Sequence, residues 1–181
     1  MKNFNSLTLI FCIQAMFIII SIQSCHCRTF KPKNEKLIES TCKKTPNYIV
    51  CINSLKSSPG SSSADVRGLA LIMVKVMETK ANDALNKIHD LQRVLTGHNQ
   101  KVALNSCASK YNAILVADIP SATEALQKGD PKFAEDGAND AASEATYCET
   151  DYPAGTLPLT KWNNAMHDVA AVTAAIVRSL L

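Results

Sequence analysis

From Asp65 to Thr96, apolar residues recur at Val66, Leu69, Ala70, Met73, Val76, Met77, Ala81, Ala84, Leu85, Ile88, Leu91 and Leu95. Steps of three and four over so long a stretch predict one amphipathic helix of about 48 Å, at 1.5 Å per residue. A helix of that length cannot bury its apolar stripe alone, so neighbours of similar length are needed. The chain supplies them. Leu104, Cys107, Ala108, Tyr111, Ile114, Leu115, Ile119, Ala122, Ala125 and Leu126 form a second face between Lys101 and Lys128, where Pro120 should kink or briefly interrupt the helix. A third pattern runs from Pro131 to Glu149 on Ala134, Ala138, Ala141, Ala145 and Cys148. The fourth begins near Thr156 to Pro158 and carries Trp162, Ala165, Met166, Val169, Ala170, Val172, Ile176, Val177 and Leu180. Gly97-His98-Asn99 and Gly129-Asp130 make short links, which favour antiparallel neighbours. No run shows the period-two alternation of a half-buried strand. The expected class is all-α, an up-down-up-down four-helix bundle.

Ahead of the bundle, Asn34 is placed to cap a short helix through Leu37, Ile38 and Thr41, and Thr45-Pro46 to open a second through Tyr48, Val50, Cys51 and Leu55. Residues 34–57 thus read as a helical hairpin and 64–181 as the bundle. Lys56-Ser57-Ser58-Pro59-Gly60-Ser61-Ser62-Ser63 reads as a flexible linker by composition. Residues 1–27 read as a secretory signal peptide: Lys2 starts it, Leu7 to Ile22 is nearly all apolar, no acid occurs, and Cys25-His26-Cys27 precedes Arg28 as the cut site. The apolar run is shorter than the roughly 20 residues a membrane span requires, so no membrane association is expected after its removal. Residues 28–181 would be the mature domain, led by the basic, proline-containing segment from Arg28 to Lys33.

Cutting after Cys27 leaves Cys42, Cys51, Cys107 and Cys148 of the chain's 7 cysteines. An even set in a secreted chain implies two disulfides with three possible connectivities. The closeness of Cys42 to Cys51 favours Cys42–Cys51 with Cys107–Cys148. In the chain-entropy picture these loops are worth about 2.7 and about 4 kcal/mol.

Several functions find little support. The formal charge of +3 falls to about +2 once Lys2 is removed, and no basic block is interleaved with aromatics, so nucleic acid is not an expected partner. His89, His98 and His167 fall on or between different helices. Neither His89-Asp90 nor His167-Asp168 can act as a relay, because neighbours on a helix point about 100° apart. No Cys-x2-Cys, His-x3-His or Glu-x2-His ligand spacing occurs, and no Gly-x-Ser-x-Gly elbow or glycine-rich phosphate loop. No catalytic residue, metal or cofactor is expected. Met73, Met77, Tyr111 and Trp162 sit at core spacing. Glu135 and Asp136 read as first-turn acids favoured by the helix dipole.

One stretch stands apart. In Gly129-Asp130-Pro131-Lys132-Phe133 a glycine suited to the left-handed residue past a helix meets an N-cap aspartate and a proline at the first helical position. Lys132 then falls where the helix dipole disfavours a cation, and Phe133 lies near a hairpin tip that is usually polar. A cation beside an aromatic on a preorganised tip suits an acidic, aromatic-lined cleft. The bland alternative is an ordinary helix start with an exposed lysine.

The chain from Leu37 to Leu181 resembles the plant invertase and pectin methylesterase inhibitor family. The likeness lies in Cys42-x8-Cys51, Cys107 and Cys148, the run Gly129-Asp130-Pro131-Lys132-Phe133-Ala134-Glu135-Asp136-Gly137, and the end Ala174-Ala175-Ile176-Val177-Arg178-Ser179-Leu180-Leu181. It implies a four-helix bundle with an N-terminal hairpin, the same two disulfides, and an inhibitor of cell-wall or vacuolar enzymes. The Pro131-Lys132-Phe133 turn is similar to the target-binding motif of members that act on acid invertase. That implies competitive blockage: Lys132 near the catalytic carboxylates, Phe133 in the substrate pocket, Asp130 and Pro131 holding the turn. Binding should then weaken as those carboxylates protonate at low pH. Pectin methylesterase on the same scaffold is the alternative target, and a non-inhibitory helical signalling ligand is the alternative from another class. The destination would be the secretory pathway, ending in the apoplast, at the cell wall, or in the vacuole.

Overall fold

The computed structural model describes residues 34–152 and 158–181. The signal segment, the lead-in to Lys33 and the residues from Pro153 to Leu157, where a break and the start of the last helix were expected, lie outside the described residues. Every regular element described is helical: α1 (Glu35–Cys42), α2 (Tyr48–Ser57), a 3-10 turn (Ser61–Ser63), α3 (Val66–Val94), α4 (His98–Ala113), a π-helical turn (Ile114–Asp118), α5 (Ile119–Lys128), α6 (Pro131–Thr150) and α7 (Thr160–Arg178). Helix α3, the continuous α4–π–α5 rod, α6 and α7 form the four-helix bundle, with α1 and α2 as its N-terminal hairpin.

The apolar stripes become the core. Leu69, Met73, Met77, Ala81, Ala84 and Ile88 of α3 are fully buried, as are Leu104, Cys107, Tyr111 and Ile114 on the second rod. Ala134, Ala138, Ala141, Ala145 and Cys148 of α6 are equally closed to solvent. They let α6 pack closely on α7, whose buried face adds Met166, Val169, Val172, Ile176 and Val177. Both disulfides form, Cys42–Cys51 and Cys107–Cys148, with Cα–Cα separations of 5.5 and 4.8 Å.

Four local expectations need correction. Asn34 flanks α1 but caps nothing with its side chain, which donates instead to the Ala64 carbonyl. Helix α2 starts after Asn47, not at Pro46. The Asn47 Oδ1 accepts from Val50 N at 3.1 Å, while its Nδ2 donates to Asp168 Oδ2 at 3.1 Å and so ties the hairpin to α7. The serine-rich linker is folded. Ser57 and Ser58 donate back to the carbonyls of Asn53 and Ser54 at 2.7 Å each, Gly60 takes φ 83°, and Ser61 is buried. Composition registers polarity but not such short-range side-chain-to-backbone bonds. Finally, Gly97 is the N-cap of α4, so His98 and Asn99 open that helix rather than form a turn.

Pro120 interrupts the second rod as expected, by widening it. The Ile119 amide bonds to the Ile114 carbonyl, and one π-helical turn absorbs the hydrogen bond that proline cannot make. Helix α6 crosses this turn closely. A Cβ built on Gly137 would lie 2.9 Å from the Asp118 carbonyl oxygen and 3.3 Å from the Ala122 Cβ. Exchanging a helical glycine for alanine ordinarily stabilises by about 1 kcal/mol. Here the added methyl meets backbone, which cannot swing away, and overpacking of that kind costs about 1–3 kcal/mol. Gly137→Ala should therefore lower stability by about 1 kcal/mol net in urea unfolding. A stabilised variant would show the helices free to move apart.

The π turn also carries an unpartnered carboxyl oxygen. Asp118 Oδ2 is buried without a hydrogen-bond partner. Burial first, and then the charges of Asp140 and Glu144, push its pKa up to about 6. The folded state therefore holds this proton over a range where the unfolded chain has lost it, and stability falls as pH rises from about 4 to 6. Asp118→Asn should remove that fall and gain about 1 kcal/mol at pH 7, after discount for partial exposure. Thermal unfolding from pH 4 to 7 is the measurement. An unchanged pH slope in the variant would show Asp118 to be an ordinary surface acid.

Candidate functional site

The tip between α5 and α6 is built from its backbone outward. Gly129 takes φ 84° and ψ 27°. Both its amide and that of Asp130, the latter at 2.9 Å, reach the Ala125 carbonyl, closing the end of α5. Pro131 takes the first position of α6. Asp130 stands at the N-cap position, yet its side chain caps nothing; it is exposed at the rim. Arg67 of α3 supports the turn from beneath. Its Nη1 donates to the Leu126 carbonyl at 3.3 Å and lies 3.3 Å from where a Gly129 Cβ would sit.

On this base Phe133 is 62% exposed, a large aromatic turned to solvent. It borders an open groove of about 330 Å³ lined also by Ser121, Glu124, Lys128 and Asp130. Beside it the Lys132 side chain is 61% exposed. The four residues Asp130, Pro131, Lys132 and Phe133 are thus brought together at one end of the bundle. Cys107–Cys148 joins α4 to the other end of α6.

The lysine is paired with acids of its own helix. Its Nζ donates to Asp136 Oδ1 at 2.9 Å, and Glu135 Oε2 lies at 3.7 Å. The bond to Asp136 holds the ammonium's pKa up. Glu135 and Asp136 are also not first-turn acids; both follow the first turn of α6. Glu135 is only 6% exposed, and its Oε1 accepts from Arg178 Nε at 2.7 Å and Nη2 at 2.6 Å. This two-donor contact fastens the tip helix to the end of α7. A buried carboxylate so paired is compensated; left without its arginine it would not be. Proximity in sequence could not reveal Arg178 as the partner, 43 residues away.

The residues weighed for catalysis do not converge. His89 lies in α3, His98 opens α4 and His167 lies in α7, all three exposed. His167 Nδ1 is 3.7 Å from Asp168 Oδ1, too long for a hydrogen bond. Among the described residues no group of three or more His, Cys, Asp or Glu side chains is placed to hold a metal ion. Tyr111 lies in the core, as its spacing suggested, and its role there is partly polar. Its hydroxyl donates to Asn163 Oδ1 at 2.8 Å, and Asn163 Nδ2 donates to Glu149 Oε2 at 2.6 Å. Burial and the Glu149 charge push the Tyr111 pKa up, so the phenol stays a donor.

A sequence pattern described as plant invertase/pectin methylesterase inhibitor matches residues 36–176. The chain belongs to this family. The family is one of enzyme inhibitors, not of enzymes. Among its relatives, cell wall / vacuolar inhibitor of fructosidase 1 of Arabidopsis thaliana is 43% identical over 143 residues, covering 79% of this chain and 68% of that protein. Cell wall / vacuolar inhibitor of fructosidase 2 of the same plant is 39% identical over 124 residues, covering 68% of this chain and 64% of that protein. The chain thus spans about two thirds of the length of these curated relatives. Pectinesterase inhibitor 2, also from Arabidopsis thaliana, is 30% identical over 63% of this family member and 65% of its own length. A crystal structure of a mutant form of a pectin methylesterase inhibitor from Arabidopsis superposes with a TM-score of 0.69 over 78% of this chain and 95% of that one, at 19% identity. That likeness establishes the family's bundle fold here. No helix among the described residues is long and apolar enough to cross a membrane.

Proposed function

We propose that this family member inhibits a plant acid invertase, and that the Asp130-Pro131-Lys132-Phe133 tip enters the enzyme's sucrose-binding site. The observation carrying the reading is the pairing of an exposed Phe133 with a Lys132 ammonium on a turn held by Gly129, Pro131 and Arg67. Identity to an inhibitor of fructosidase over most of the chain supports the choice of target. Invertases hydrolyse a glycosidic bond with a pair of carboxyl groups. Lys132 offers the opposite charge to that pair, and Phe133 offers apolar surface to the substrate pocket. The turn fixes the backbone beneath both residues before contact, so little backbone ordering entropy remains to be lost. Sucrose and the tip would then exclude one another.

The working unit is residues 28–181, released by removal of residues 1–27 and delivered through the secretory pathway to the cell wall or the vacuole. Since the attraction depends on ionised target carboxylates, inhibition should weaken between mildly and strongly acidic buffer. An affinity that does not change over that range would remove the electrostatic part of the proposal.

The deciding experiment gives the purified protein to an acid invertase and to a pectin methylesterase in parallel. Loss of sucrose hydrolysis with pectin de-esterification untouched is the expected outcome. The reverse would make this a pectin methylesterase inhibitor. Inhibition of neither enzyme would leave a helical ligand of another kind and end the proposal.

A further inference from the structure

We infer that Asp136 sets the affinity of the tip, by competing with the target enzyme for the Lys132 ammonium. The inference rests on the tip being the target-binding site. It adds a residue that touches no target carboxylate and acts through Lys132.

Lys132 has two acidic neighbours on its own helix, and they are not equivalent. Glu135 is buried, and its Oε1 is committed to two donors of Arg178, which fixes its position. Its other oxygen stays 3.7 Å from the ammonium. Asp136 is different: its side chain is 49% exposed, and it makes the direct bond to Lys132 at 2.9 Å. In the free protein the ammonium is therefore held by Asp136 alone at hydrogen-bond distance.

That bond points the wrong way for insertion. Asp136 lies one turn further along α6, so reaching it lays the lysine side chain back along the helix, away from the tip that Phe133 shares. To extend beyond the tip, Nζ must first leave Asp136. The contact is weak enough to be exchanged. Both side chains are about half exposed, and a lysine that precedes its acid by four residues is the poorer of the two orders on a helix. Binding then swaps one carboxylate for others. Breaking the Lys132–Asp136 bond subtracts from affinity, and that cost vanishes when Asp136 is neutral.

The test measures inhibition of a purified acid invertase by wild type, Asp136→Asn, Lys132→Ala and the Asp136→Asn/Lys132→Ala pair, with thermal unfolding as the check on folding. Asp136→Asn should inhibit about three- to fivefold more tightly than wild type, the most that a half-exposed ion pair can withhold. The gain should shrink to less than about twofold when Lys132 is alanine, which is the coupling a general charge effect would not show. Asp136→Ser serves the same purpose should the asparagine variant unfold. Unchanged or weaker inhibition by both neutral variants, with Lys132→Ala still impaired, would overturn the competition while leaving the tip in place. A gain of equal size in the Lys132→Ala background would overturn it too, assigning the effect to net charge. Full inhibition by Lys132→Ala would remove the tip and this inference together.

Discussion

Replacing Lys132 and Phe133 together by alanine should weaken inhibition of an acid invertase by about a thousandfold while leaving the bundle folded. Two independent effects combine. Phe133 is 62% exposed in the free protein, so its burial in a substrate pocket is gained only in the complex and is worth about 2 kcal/mol. An ammonium enclosed among target carboxylates adds about 2–3 kcal/mol, much of it the cost of leaving those carboxylates unpaired. Together they come to roughly 4 kcal/mol, which is about three powers of ten in Ki. The free protein should hardly register the change. Both side chains face solvent, and surface substitutions of this kind stay within about 0.5 kcal/mol. Titration of invertase with the variant, beside its unfolding curve, separates the two. The single variants should differ in kind: loss of Lys132 should flatten the salt dependence of inhibition, and loss of Phe133 should not. A double variant that inhibits fully would take the site away from this turn.

Loss of the Cys107–Cys148 bridge should have the opposite signature, with a large effect on stability and a small one on recognition. Helix α6 meets its neighbours mainly through alanines, which bury little apolar area each. The bridge closes a separation of 41 residues, which the chain-entropy model values at about 4 kcal/mol. For a domain of this size that corresponds to a melting point lower by about 8–16 °C. Cys107→Ser/Cys148→Ser should therefore unfold far more readily, yet molecules still folded at 20 °C should inhibit within about twofold of wild type. Removing Cys42–Cys51, with a separation of 9 residues, should cost less, about 2.7 kcal/mol. Equal costs for the two bridges would show that native packing, rather than chain entropy, sets their worth.

How much of this was legible in the sequence depended on the range of the interaction concerned. Gly129 in the left-handed region, Pro131 at the first position of α6 and the alanine face follow from rules that act within one turn, and each appears in the structure. The bundle follows from four such faces and their short links. The partner of Glu135 was hidden because Arg178 approaches it from another helix, and the Tyr111–Asn163–Glu149 chain was hidden for the same reason. The bond from Lys132 to Asp136 spans four residues and was in principle visible as a helical ion pair. Reading Glu135 and Asp136 as dipole-stabilising acids obscured it. The serine-rich stretch shows the converse error, since polar composition concealed local hydrogen bonds that fold it. The proposed role of the tip came from unfavourable local choices and from family resemblance, not from periodicity.

The most direct measurement is the dependence of inhibition on sucrose. If tip and substrate contend for one pocket, as proposed, the apparent Ki with acid invertase and the wild-type protein should rise in proportion to sucrose above its KM, and the maximal rate should be recovered at saturating sucrose. An apparent Ki that ignores sucrose, with a maximal rate that stays depressed, would place the inhibitor elsewhere on the enzyme and contradict the role assigned to Lys132 and Phe133.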